Sequence, residues 1–125
     1  MPYSDKNEVN HHITGAIKAE RILKKYKYPK EKIDEIKEAI ICHRGSDDYH
    51  KPKTVLAKII ATADAMSHFD SIPVFFYWRA DRYSYKEIKK WVKDKIERDW
   101  QKKLFLPEAK KVLKDKYKAA KLILK

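Results

Sequence analysis

His11, His43 and Asp64 are the side chains whose types could do chemistry together. They stand in the stretches His11-His12-Ile13-Thr14-Gly15-Ala16, Ala39-Ile40-Ile41-Cys42-His43-Arg44-Gly45 and Ala63-Asp64-Ala65-Met66-Ser67-His68, one on each of three successive apolar-periodic segments. Imidazoles and a carboxylate converging from different helices are what a divalent cation needs. A bound ion lowers the pKa of its coordinated water and neutralises charge on a phosphate oxygen. The spacing carries no tight metal signature such as two histidines one turn apart on one helix. Read singly, the same residues have plainer roles. A histidine on an apolar helix face is usually a hydrogen-bonded core or cleft residue. A carboxylate in a buried row needs a cation, donors or a raised pKa, and His68, one turn after Asp64, could meet it in a structural salt link.

The elements that must position these groups are helical. Ile13, Ala16, Ile17, Leu23 and Tyr26 recur at helical spacing and predict a helix over about 10–27, with Asn10 as its cap and Tyr28-Pro29 as its stop. Ile33, Ile36 and Ile40 predict a second helix over 30–43 whose row His43 continues, so its imidazole faces inward or toward a cleft. Gly45 sits where a helix stop prefers glycine, at the head of a polar loop that runs to Pro52. Thr54 caps a third helix over about 55–69 with the inward row Leu56, Ile60, Asp64 and His68. Pro73 to Trp78 read as a short, deeply packed helix. Ser84 and Glu87 form a capping box ahead of a long amphipathic stripe, Ile88, Trp91, Val92, Ile96, Trp100 and Leu104. A last helix occupies about 108–124. The three tryptophans, Trp78, Trp91 and Trp100, read as core or interface anchors.

A chain of 125 residues with 43% hydrophobic content, two glycines and abundant Lys, Glu, Ala, Ile and Leu fits one all-α domain rather than a turn-rich sheet protein. Its net charge of +12 is uneven, since residues 71–125 hold 17 Lys/Arg against 7 Asp/Glu. That half could attract phosphates or nucleic acid, or be a solvated Lys-rich exterior. Lys86, Lys89, Lys90 and Lys93 fall along the solvent side of their helix. Cys42 has no partner for an intramolecular disulfide and reads as a small core residue, consistent with a cytoplasmic location. It sits about 100° around the helix from His43, which keeps the two from sharing a metal. No apolar run is long enough to span a membrane.

Taken in order, His-His-Ile-Thr-Gly-Ala, then Ala-Ile ahead of His-Arg-Gly, then Lys-Thr, Lys-Ile-Ile and Asp-Ala-Met-Ser-His-Phe-Asp resemble the small, stand-alone HD-superfamily metal-dependent phosphohydrolases. The similarity covers about residues 10–71 and continues into Ile96 to Trp100 and Pro107 to Ala109. The resemblance implies an orthogonal helical bundle of about six helices in a single domain over 1–125, with a partial HD core at 10–70. An aromatic helix and two basic amphipathic helices follow over 71–125. It implies a divalent metal ion held by Asp64, His43 and His11, with His12 as the competing candidate. It also implies hydrolysis of a phosphomonoester or nucleotide phosphate. Arg44 and Lys53 would hold the phosphate, or serve as exposed loop charge. The family pattern opens on a His and a His-Asp pair that this sequence lacks, so the expectation is an N-terminally incomplete domain, active or a truncated, inactive derivative. A helical domain short of two helices exposes their docking surface, which predicts a homodimer or a cover by segment 74–78. The alternative function is a non-catalytic basic helical module for nucleic acid or a protein partner.

Overall fold

The computed structural model describes the backbone of residues 5–44 and 50–125, and the side chains of 10–44 and 50–125. Among the described residues the chain is all-α, with no strand. Six helices follow in order: α1 (Asp5–Lys25), α2 (Lys30–Cys42), α3 (Val55–Asp70), α4 (Ile72–Arg79), α5 (Tyr85–Lys102) and α6 (Pro107–Ile123). Two compact units divide the chain, Met1–Ala61 and Thr62–Lys125, with the boundary inside α3. No helix among the described residues is long and apolar enough to cross a membrane.

In the first unit α1 and α2 pack on each other. Helix α1 begins well before Asn10, which lies inside it and whose carbonyl accepts from the Thr14 hydroxyl at 3.2 Å rather than capping the helix. No apolar period in the sequence signals that early start. The end of α1 is a Schellman turn. Tyr28 N–H donates to the Leu23 carbonyl at 3.1 Å and Lys27 N–H to that of Lys24 at 3.0 Å, with Lys27 in the left-handed region at φ 58°. Pro29 then sits at the N-cap of α2. Gly15 faces Ile40, where an added Cβ would lie 3.4 Å from its Cγ2. The core beside α2 is made of small side chains, Ala39, Cys42 and Ala57, with Leu56 packed on them. The predicted helix stop at Gly45 lies outside the described residues.

Thr54 caps α3 as expected, its Oγ1 accepting from Ala57 N–H at 3.1 Å. The inward row differs by one position from the expected Leu56, Ile60, Asp64 and His68. The buried row is Ala57, Ala61, Ala65 and Phe69, with Thr62 buried beside it, and Ile60 is exposed. Alanines let a helix approach its neighbours closely, so the small residues, not the larger ones beside them, define the buried face.

In the second unit Phe69, Phe75, Ile88, Val92, Ile96 and Leu113 form the main cluster, with Trp91, Trp100 and Tyr117 packed against it. Both halves of the Ser84–Glu87 capping box are present, the Ser84 N–H donating to Glu87 Oε2 at 2.8 Å. Trp100 and Tyr117 stack with ring centroids 4.1 Å apart. The Tyr117 hydroxyl donates to Glu97 at 2.7 Å, and burial followed by that bond pushes its pKa up to about 12. Thr62 is buried and accepts from Phe105 N–H at 3.2 Å, tying the α5–α6 loop to α3. Helix α4 forms where expected, with Pro73 in its first turn, but it is not deeply packed: only Phe75 among its residues is buried.

Candidate functional site

The first unit gathers four imidazoles. His11 and His12 lie in α1, His43 is the C-cap of α2, and His50 follows in the loop. Helix α2 ends at Cys42, so His43 sits just past the last helical residue, with its Nδ1 donating to the Ile40 carbonyl. That bond puts a hydrogen on Nδ1 and turns Nε2 toward His11. His11 Nε2 and His43 Nε2 share a hydrogen bond at 3.0 Å, one nitrogen donating and the other accepting, with the ring centroids 5.0 Å apart. Of the two adjacent candidates in α1, His11 is therefore the one that meets His43.

His12 turns the other way, into the protein. It is buried, with its ring edge-on to His50 at 5.2 Å and to His11 at 5.9 Å. Its Nδ1 makes no hydrogen bond among the described residues. Burial, and then the charges of Arg44, His50, His11 and His43, hold its pKa below the ordinary histidine value. Arg44 thus contributes positive charge at the imidazole cluster, whereas Lys53 is exposed on the loop before α3.

The pair of nitrogens fits a borderline divalent ion in donor type. Two imidazole nitrogens at about 2.0–2.1 Å from one tetrahedral ion lie about 3.3–3.4 Å apart, so an ion would replace the shared hydrogen and part the rings by a few tenths of an ångström. An imidazole whose second nitrogen donates to a backbone carbonyl is the usual arrangement of a metal-ligating histidine. Among the described residues no group of three or more His, Cys, Asp or Glu side chains is arranged to hold a metal.

Asp64 belongs to the second unit and is engaged there. Its Oδ2 lies 3.3 Å from Lys103 Nζ and its Oδ1 3.8 Å from His68 Nε2. The expected link to His68 thus exists, but the closer partner of His68 is Asp99, whose Oδ2 meets Nδ1 at 2.7 Å. Asp99 is wholly buried and also lies 3.5 Å from Lys95 Nζ and 3.7 Å from Lys103 Nζ. Burial pushes its carboxyl up, but the His68 bond and the two lysines outweigh that and hold it below the usual carboxylate range. Burial in turn pulls Lys95 below the usual lysine value, against the pull of Asp99.

Asp99 and Lys103 were missed in the sequence. The signal was their spacing, since Val92, Ile96, Asp99 and Lys103 lie at i, i+4, i+7 and i+11 and form the buried face of α5 and its C-cap. No family model, no curated protein and no solved structure matches this chain.

Proposed function

We propose that the chain is a divalent-metal-binding protein of the HD phosphohydrolase type, in which His11 and His43 are the imidazole ligands and a phosphate ester is the substrate. The observation that carries the metal reading is the 3.0 Å approach of two Nε2 atoms from separate helices, one of them on a ring whose Nδ1 is already committed to the Ile40 carbonyl. The order of the sequence motifs, rather than this geometry, supplies the reaction class. A divalent ion held there would draw charge from a phosphate oxygen. Among the chain's own groups, the Ile40 carbonyl orients His43. His12 packs behind His11 as a buried neutral ring, and Arg44, next in the chain after His43, adds a cation suited to the phosphate.

The test is calorimetric titration of the chelator-stripped protein with zinc or manganese, paired with hydrolysis of a generic phosphomonoester. The expected result is about one ion per chain. His11→Ala and His43→Ala should each weaken binding by roughly tenfold or more, and metal-dependent hydrolysis should fall in parallel. Equal binding by the wild type and both variants would end the metal reading. Metal binding with no hydrolysis of any ester would leave a metal site and remove the phosphohydrolase.

A further inference from the structure

The corner made by α4 and the start of α5 presents aromatic rings to solvent in a basic setting. Tyr77 is 81% and Trp78 67% exposed, and Tyr83 and Tyr85 are exposed beside them. Several of these rings are held from behind. Trp78 packs edge-on to Phe75 at 6.5 Å, and Phe75 edge-on to Trp91 at 5.6 Å. The Arg79 guanidinium lies 4.0 Å over Trp91 and 4.7 Å from the Tyr83 ring, and Tyr85 leans on Phe76 at 5.5 Å. Residues 77–93 contain six Lys/Arg and two Asp/Glu. One of the two acids, Glu87, is committed to the capping box.

Charge and shape together discriminate among occupants. A second copy of this corner would bring like charge against like charge. An apolar peptide would leave the cations unused, and a duplex would leave the rings unused. A single strand satisfies both, because its bases stack on aromatic faces while its phosphates are neutralised by the flanking cations. We propose that the α4–α5 corner is a docking surface for single-stranded nucleic acid, with Tyr77 and Trp78 stacking on bases and Arg79 and Lys86 facing the phosphates. The inference is independent of the metal reading in the first unit.

The test is fluorescence anisotropy of a labelled twelve-nucleotide oligo(dT) with the full chain over a salt series. The expected result is binding that weakens as salt rises. Tyr77→Ala and Trp78→Ala should each weaken it by about tenfold, and Trp78→Phe, which keeps a ring, should stay near the wild type. Lys86→Gln should lower the salt slope by about one charge's share. Because the two α4 side chains are exposed, their loss removes little from the core. Four results would each overturn the proposal: equal affinity for a duplex of the same length, indifference to Trp78→Ala, binding of phosphatidylserine vesicles with none of the oligonucleotide, or a dimer that Trp78→Ala dissociates.

Discussion

Asp99 in the second unit and His12 in the first are both buried polar groups, and their surroundings are opposite. Asp99 is met by an imidazole and two ammonium groups within 3.7 Å, which offset its charge inside the protein, although its Oδ1, like His12 Nδ1, makes no hydrogen bond among the described residues. His12 is surrounded by other imidazoles and by Arg44, all of which oppose its protonation, and its Nδ1 has no hydrogen bond among the described residues. The cores differ in the same sense. The second unit packs large aliphatic and aromatic side chains around a self-compensating charge network. The first packs alanines and a cysteine, and leaves Ile13, Ile17 and Ile59 exposed. A polar cluster that balances itself is scaffold. The charges acting on His12 come from Arg44 and other imidazoles, with no carboxylate among them, which is why the imidazoles, and not the Asp99 network, carry the proposed function.

The largest test of that contrast is Asp99→Ala. It would take from Lys95 its carboxylate partner in a buried setting and leave Lys103 and His68 with Asp64, and should cost about 3–5 kcal/mol in a denaturant titration, with amide exchange rising first in α5 and α6. A cost under about 1 kcal/mol would mean the network is not what holds the second unit. The same network has a pH signature. The carboxyl of Asp99 lies below its ordinary value in the folded state, so its contribution is present above the usual carboxylate range and is lost as pH falls through the folded value. Asp99→Asn should therefore flatten the acid limb of a stability-against-pH curve.

A smaller test concerns the hairpin of the first unit. Lys27 holds a left-handed backbone conformation that glycine adopts without strain. Lys27→Gly should raise stability by about 1 kcal/mol, read as a higher denaturation midpoint with unchanged slope. No gain would mean that the turn is set by contacts other than its own backbone. Smallest is Gly15→Ala. The added methyl would meet Ile40 at ordinary contact distance, and the helix would lose a flexible residue. The expected gain is about 0.5 kcal/mol. A loss would show that the α1–α2 packing tolerates even less volume than its small-residue core suggests.

Helix identity was legible because the punctuation is local. Ser84 with Glu87, Thr54, Tyr28-Pro29 and Pro107 each act through groups only a few residues away, and the structure puts helix boundaries at or near all of them. Which face turns inward was less legible. The buried side of α3 is an alanine row that hydrophobic patterning underweights beside Leu56 and Ile60, and α4 keeps most of its aromatic rings outside. At the candidate site, the structure brings His11 and His43 within 3.0 Å of each other, while Asp64, read into the same set, is met by Lys103 and His68. Asp99 and Lys103 were missed because two opposite charges on a buried helix face look polar singly, and only their mutual distance makes them interior residues.

Cys42 closes α2 one residue ahead of His43, buried among Ala39 and Ala57, and it is the only cysteine in the chain. A thiol reagent therefore has a single target, shielded until α2 lifts from its neighbours. The labelling half-time becomes a clock for that opening. Slowing of the clock by a divalent ion would report, without any engineered probe, that the segment carrying His43 has been clamped shut.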